Sequence, residues 1–168
     1  HVNRSDVEWR LEGSHLRVPL TRLRGMPDQL ADGIVAARGD RPFADLWDFV
    51  RRVRPPRGMV ERLIQVGAFD GMAAPTEPGA GRRPDRPGTS SSELPVGNAT
   101  SNGAPARRQL LWALAEMRWD EGGLDLPPVV VPAELPAMTE ADTIGADYGL
   151  LGMAQGAHLM TLLPPQLA

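Results

Sequence analysis

The chain has 168 residues and a formal net charge of −3, which allows one ordinary domain or one small domain with tails and excludes a uniformly basic nucleic-acid-binding protein. Pro and Gly, with 17 and 18 residues, are more abundant than in ordinary domains, and aromatic residues make up only 5%, so we expect a small aliphatic core. Cys is absent, which excludes disulfides and thiolate metal sites, and no apolar run approaches the roughly 20 residues that cross a bilayer, so we expect a cytoplasmic protein without membrane contact.

The first 21 residues have the alternating pattern of a short β-hairpin. Val7, Trp9 and Leu11 alternate with charged residues, which is typical of a half-buried strand. Residues 12–14, Glu-Gly-Ser, indicate a turn, after which residues 16–18 return as a second short strand. We therefore expect an extended entry or a β-hairpin before the first helix.

Residues 22–72 carry the best helical patterning in the chain. Apolar residues recur there at spacings of three and four, which predicts helices over about 27–38, 42–54 and 59–69. Pro27 and Pro42 are expected at the first positions of the first two helices, because proline is well tolerated there. We therefore expect a mainly α fold in which two helix–turn–helix units follow one another.

The composition changes after this helical region. Residues 73–105 are rich in Pro, Gly and Ser and cannot bury enough apolar surface to offset the entropy of ordering, so we expect a flexible linker. Residues 106–118 predict an amphipathic helix, and Thr139 is expected to cap the start of another. The predicted division is a domain over residues 1–72, a linker over 73–105 and a helical connector over 106–168.

No catalytic residue is predicted. Ser and His lack a nucleophile–base arrangement, and the carboxylates are dispersed over helix starts and exposed faces. Asp6 with Glu8, and Asp45 with Asp48, have spacings that put each pair on one face, but a solvated face or a helix-dipole role explains each pair better than a metal does. We expect neither a metal site nor a bound cofactor in this chain.

The two interhelical turns are the remaining candidates for a functional site. A turn at a helix start points unpaired backbone N–H groups outward, and the helix dipole makes them suited to a DNA phosphate. Residues 1–71 carry 12 Arg against 10 Asp and Glu, whereas residues 72–168 carry 6 against 11. Plain corners of a helical bundle are, from the spacing alone, the more ordinary interpretation. The predicted first site contains Arg22, Arg24, Gly25, Met26 and Asp28, and the predicted second site contains Arg52, Arg54, Arg57, Gly58 and Met59.

Several segments, in the same order, resemble the C-family bacterial DNA polymerases, the relatives of the polymerase III alpha subunit. They include HVNRSDVEWRLEG, LRVPLTRLRGMPDQLADGIVAAR, PFADLWDFVRRV, VERLIQVGAFDGM and RRQLLWAL. The final stretch, ADYGLLGMAQGAHLMTLL, is similar to a segment of the error-prone, damage-tolerant branch, and VNRSD near the start points the same way. The resemblance implies a tandem helix-hairpin-helix region, with the catalytic palm and the OB-fold of the family lying outside this chain.

The chain departs from the family pattern in two places. The first hairpin of the family carries two Gly residues around an apolar one, but Pro27 stands at the second Gly and lacks the donor N–H. Near the end, Leu159 replaces the usual Pro after His158. We therefore expect the first hairpin either to bind phosphate weakly, through Arg22 and Arg24, or to serve only as structure. The turn from Arg52 to Met59 is then the better DNA-binding candidate.

The predicted function is non-specific, salt-dependent binding to the duplex DNA backbone, as part of an error-prone polymerase that acts in repair and translesion synthesis. The implied partners are DNA, other polymerase domains and proteins of a mutagenesis complex, and Mg²⁺ is implied only for a full-length polymerase. Two alternatives remain open. One is a protein-interaction or structural module, which the acidic residues 120–147 and the apolar C-terminal end favour. The other is a truncated, inactive polymerase remnant.

Overall fold

Five α-helices and one two-stranded hairpin form the described part of the chain. The computed structural model describes residues 1–39, 41–72, 107–117 and 135–162, so the predicted linker over 73–105 lies outside the described residues. The mainly α fold predicted from the sequence is confirmed. The elements are β1 (Arg10–Glu12), β2 (His15–Arg17), α1 (Asp28–Arg38), α2 (Leu46–Val53), α3 (Arg57–Gln65), α4 (Arg107–Glu116) and α5 (Glu140–Leu151), with 3₁₀ turns at Leu20–Arg22 and Leu159–Leu162.

The predicted β-hairpin is confirmed, but its apolar face is more exposed than expected. β1 and β2 pair antiparallel with Leu11 opposite Leu16, and Gly13 makes the turn with φ +61°. Leu11 and Leu16 are 73% and 60% exposed, so the face expected to be half-buried is open to solvent. Trp9, two residues before Leu11, is also exposed. The hairpin therefore presents a small apolar surface outside the core.

The segment before the hairpin is fixed to the helical core by hydrogen bonds of its backbone and side chains. The Val2 N–H donates to the Ala68 carbonyl at 2.9 Å. The Asn3 side chain donates to the Phe43 carbonyl and accepts from the Phe43 N–H, both at 2.8 Å. Arg38, at the end of α1, donates to the Val2 carbonyl at 3.3 Å. These contacts place the hairpin beside the α1–α2 connection.

The first two helices begin later than the prolines predict. Pro27 is the N-cap of α1, with φ −70° and ψ 141°, so the helix begins one residue after it. Pro42 does not open α2. Asp45 caps that helix instead, because its carboxylate accepts a hydrogen bond from the Asp48 N–H at 2.8 Å. Gly39 ends α1 as expected, with φ +41°.

The third helix lies at the centre of the described structure. It begins at Arg57, two residues before the predicted start, because Pro56 is its N-cap. It ends at Gln65, and Gly67 with φ +70° turns the chain before the predicted end at Phe69. Val60, Leu63 and Ile64 of this helix are almost fully buried. Both α4 and α5 pack against it.

Three phenylalanine rings link the connection before α2, α2 itself and the segment after α3. Phe49 packs edge-to-face against Phe43 and against Phe69, with ring centroids 5.1 Å apart in each pair. Such pairs contribute about 0.5–1.5 kcal/mol each beyond the burial of their surface. The rings hold α2 against the segment that follows α3.

The two helices that follow the predicted linker complete the same core. Leu110 and Leu114 of α4, and Met117 directly after that helix, are buried with the residues of α3, as the amphipathic pattern predicts. In α5, Thr139 is the predicted N-cap and forms a reciprocal capping box with Asp142. No helix within the described ranges is long and apolar enough to span a bilayer.

Candidate nucleic-acid interface

In the turn before α1, Gly25 has a left-handed backbone conformation and the next residue, Met26, is buried. Gly25 has φ +78°, and Met26 is only 9% exposed. A side chain at position 25 would be strained by this φ, and its Cβ would lie 2.4 Å from Nη1 of Arg62. The predicted contribution of a Met26 backbone donor is not supported, because the Met26 N–H donates to the Leu23 carbonyl at 2.9 Å. Gly25 is therefore the outward-facing residue of this turn.

The turn before α3 follows the same backbone course without glycine. Arg54, with φ +50°, takes the place that Gly25 has in the first turn. Pro55 is fully buried and Pro56 is the N-cap of α3. Before α1, Met26 is the corresponding buried residue and Pro27 the corresponding N-cap. Both turns therefore end in a proline that has no N–H to donate, whereas the sequence indicated this loss only for the first.

Arg54 adopts a conformation that arginine rarely has. It is the one non-glycine residue with positive φ in the described segments, and a left-handed conformation costs roughly 1–2 kcal/mol for such a residue. Its side chain is exposed and has no hydrogen-bond or ion-pair partner among the described residues. Local strain of this kind is common at binding sites, where the side chain has a use that the fold alone does not require.

Unpaired backbone donors lie at the start of both helices. The N–H groups of Arg57 and Gly58 have no acceptor in the described part of the chain, and neither do those of Gly25 and Asp28. The Met59 N–H, in contrast, donates to the carbonyl of the N-cap proline at 2.9 Å. Each helix start thus offers N–H groups and the positive end of its dipole to an anion.

Besides Arg57, which is the first residue of α3, two more residues predicted for the second turn lie in that helix. Gly58 is the second residue of that helix, and a Cβ built on it would meet nothing within 4 Å. Met59 is 6% exposed and belongs to the core, so its side chain does not contribute to a surface site. Only the Gly58 backbone, with open space in front of it, remains part of the candidate interface.

Arg52 does not have the DNA-facing position expected for it, because its guanidinium group is bound inside the protein. The group donates to the Ala37 carbonyl near the end of α1 and to the Arg41 carbonyl at 3.1 Å. It also pairs with Asp48 at 3.1 Å and lies 4.6 Å from the centre of the Phe43 ring. With 17% of the side chain exposed, the structure gives Arg52 a role in closing the end of α1.

The charges around the two turns differ in a way that favours the second. Arg54 and Arg57 flank the start of α3, where Arg57 also pairs with Glu61 at 3.2 Å. The corresponding surface of α1 carries the exposed acidic residues Asp28 and Asp32. The first residue of α3 is thus a cation, whereas that of α1 is an anion, so the charge at the helix start itself favours a phosphate more at α3.

The first turn has arginines of its own, and they are held partly by α5. Arg22 and Arg24 are exposed. The Arg24 N–H donates to the Leu150 carbonyl at 2.8 Å, and a Cβ at Gly152 would lie 3.2 Å from Nη2 of Arg22. The end of α5 therefore supports the chain that leads into the first turn.

Arg62, which was not predicted from the sequence, lies beside the first turn although it belongs to α3. Its Nη1 donates to the Arg24 carbonyl at 3.0 Å, and the residue is exposed. A basic residue in the last turn of a helix is an ordinary partner of the helix dipole, so no local pattern indicated that Arg62 lies at the first turn.

Two exposed apolar surfaces are available for contacts with other macromolecules. One is the hairpin face defined by Trp9, Leu11 and Leu16. The other is formed by Leu159, Met160 and Leu162, which are between 41% and 49% exposed. These surfaces are what the alternative of a protein-interaction module requires.

Metal binding has no candidate site in the described ranges. No group of three or more His, Asp or Glu residues there is placed to hold a metal ion. The prediction that Mg²⁺ belongs to other parts of a polymerase stays a prediction.

A family comparison covers the region of both turns. Residues 1–77 match the helix-hairpin-helix motif family. The matched range contains the β-hairpin and α1 to α3, so the tandem turns described above lie entirely within it.

Comparison with individual proteins extends the similarity to almost the whole chain. The chain is 28% identical over 158 residues to an error-prone DNA polymerase of Anaeromyxobacter sp. (strain K), covering 93% of this chain and 11% of the relative. Error-prone DNA polymerases of Alkalilimnicola ehrlichii and Aromatoleum aromaticum are 30% and 31% identical, each over 90% of this chain and over 12% and 11% of the relative. The resemblance predicted from the sequence is confirmed, and the chain spans about a tenth of the length of these relatives.

Proposed function

We propose that this chain, which corresponds to a helix-hairpin-helix segment of error-prone DNA polymerases, binds the sugar-phosphate backbone of duplex DNA without reading its sequence. The observation that carries the proposal is the grouping of phosphate-binding groups at the start of α3. There the unpaired N–H groups of Arg57 and Gly58 lie next to the exposed, conformationally strained Arg54. Backbone donors, a helix dipole and two guanidinium groups together favour a phosphate.

The binding chemistry follows from these groups. A phosphate oxygen at the start of α3 accepts from the free N–H groups, and the planar guanidinium of Arg54 can donate two parallel hydrogen bonds to the same phosphate. Gly58 has no side chain in the open space before it, so a phosphate can approach the backbone closely. No base edge is needed, so affinity depends on charge and salt and not on base sequence.

The wider role is inferred from the relatives. The proposed module serves an error-prone polymerase in DNA repair and translesion synthesis, holding the duplex while other polymerase domains carry out nucleotide addition. Other polymerase domains and proteins of a mutagenesis complex are the proposed protein partners, and the cytoplasm is the proposed location. Mg²⁺ would be required by the catalytic domains of such a polymerase.

A protein-interaction module is the second candidate, favoured by the exposed apolar hairpin face of Trp9, Leu11 and Leu16. If this face is the functional surface, the helices are a scaffold and the turns have no ligand. An inactive polymerase remnant would show neither activity.

Titration of a fluorescent duplex with the full chain tests the proposal. We expect affinity to fall roughly 40-fold between about 50 and 200 mM salt if three phosphates are contacted. The double variant Arg54→Ala/Arg57→Ala should lose most of the binding at the lower salt concentration. The single variant Arg54→Gly should weaken binding while keeping or raising the melting temperature, because glycine relieves the left-handed φ.

Arg41→Ala is the matched control for these variants. Its side chain is 70% exposed and follows the end of α1, so the change removes one positive charge at a distance from both helix starts. It should leave affinity nearly unchanged. Absence of binding at about 50 mM salt would instead favour the interaction module.

A further inference from the structure

We propose that Arg62, from the last turn of α3, is the phosphate-binding side chain of the first turn. This inference rests on the proposed function and adds a residue that neither the family match nor the sequence assigns. It makes α3 a single element that serves both turns, with its start at the second turn and its end at the first.

The position of Arg62 is defined by two contacts with the first turn. Its Nη1 donates to the Arg24 carbonyl at 3.0 Å. The same atom would lie 2.4 Å from a Cβ at Gly25, so the guanidinium group lies directly against the outward side of that glycine. The Gly25 N–H, with no acceptor among the residues that the structure describes, is therefore next to a guanidinium group.

Most donors of Arg62 remain available to a ligand. A guanidinium group has five N–H donors, and the described contacts use one of its nitrogens on a backbone carbonyl. The side chain is exposed, so the remaining donors face solvent. In this position Arg62 and the Gly25 N–H can bind the same phosphate.

The first turn has few free backbone donors and carries acidic residues, so an additional cation such as Arg62 favours phosphate binding there. Pro27 has no N–H, and the Met26 N–H is used within the turn. The exposed carboxylates of Asp28 and Asp32 repel an anion at the start of α1. Together with the exposed Arg22 and Arg24, a guanidinium group provided by α3 offsets that repulsion, so the first turn can bind phosphate despite the proline.

Arg62→Gln separates a binding role from a structural one. The glutamine amide can still donate to the Arg24 carbonyl but carries no charge, so the melting temperature should be retained. We expect about a tenfold loss of affinity for a fluorescent duplex at about 50 mM salt, and a slope of log affinity against log salt that is shallower by about 0.9. Arg41→Ala, with the same loss of charge, should change neither quantity much.

The outcomes distinguish this inference from the proposed function. If the unmodified chain binds DNA and Arg62→Gln binds with the same affinity and salt slope, Arg62 is only a structural partner of the turn and the inference is overturned. If the unmodified chain does not bind duplex DNA at low salt, the proposed function fails and the inference fails with it. A shallower slope with an unchanged melting temperature supports both.

Discussion

Arg52 shows how one side chain can fix the relative position of two helices. It reaches from α2 to the carbonyls at the end of α1, to Asp48 on its own helix and to the Phe43 ring. Those carbonyls carry the negative end of the α1 dipole and have no partner inside their own helix. A lysine would provide one charge at this site but not the planar fork that meets several acceptors at once.

We predict that Arg52→Ala lowers the free energy of unfolding by about 2–3 kcal/mol, because it removes charged hydrogen bonds at a site with little access to water. Urea denaturation of the full chain measures this. The neighbouring Arg51, with a half-exposed side chain 3.8 Å from Asp48, provides the control. Arg51→Ala should cost no more than about 1 kcal/mol. Equal losses for the two variants would show that Arg52 is an ordinary surface residue.

At the level of helices and turns, most of the fold was predictable because its signals are local. Helical spacing, the end of α1 at Arg38 and the Thr139 N-cap each depend on a few adjacent residues, and the structure confirms them. The errors lie at helix starts and at the end of α3, which comes at Gln65 and not at Phe69. Asp45 is a stronger signal for a helix start than Pro42. A capping carboxylate accepts a hydrogen bond from an unpaired backbone N–H, whereas proline only removes an N–H that would be unpaired.

The candidate site was less predictable because its residues come together only in the folded chain. The Arg54 turn and the helix start after it were identified from local sequence. Arg52 and Arg62 were misassigned or missed, since the partners of each lie on another element, at Ala37 and at Arg24. No spacing rule within one helix reports such contacts.

The helix caps also predict how stability depends on pH. Burial tends to raise the pKa of Asp48, but the Ala44 N–H and Arg52 outweigh it and hold that pKa below its ordinary value. The Thr139 N–H and hydroxyl lower the pKa of Asp142 in the same way. A folded carboxyl with a lowered pKa stabilises the fold above its ordinary pKa, and this stability is lost as the pH falls through the folded value.

We therefore expect the urea midpoint to be level between about pH 6 and 5 and to fall below about pH 4. The double variant Asp48→Asn/Asp142→Asn should show a shallower fall. An equally steep fall in the double variant would mean that other carboxyls dominate.

At the scale of the whole molecule, α4 is bound to the helix-hairpin-helix region by charge as well as by apolar packing. Arg107 pairs with Asp70 at 2.7 Å and donates to the Gln65 carbonyl at 2.9 Å. Gly67 has φ +70°, and a Cβ there would lie 2.2 Å from Nη2 of Arg107. The ion pair between Arg107 and Asp70 joins residues that are 37 positions apart in the chain. It places the start of α4 against the end of α3.

The whole molecule thus presents its two turns from one helical core, with α3 extending from one turn to the other. A DNA-binding function places phosphates at these two turns, whereas an interaction function places a partner on the apolar hairpin face. The two predictions concern different backbone amides, so they can be separated in one experiment.

The most direct test is a titration of the isotopically labelled full chain with duplex DNA at about 50 mM salt, followed by amide ¹H–¹⁵N NMR spectra. Binding at the turns predicts that the amide signals of Gly25, Arg57 and Gly58 shift most and that raising the salt concentration reverses the shifts. Spectra that do not change, or that change chiefly at Leu11 and Leu16 of the hairpin, would contradict the proposed DNA-binding function.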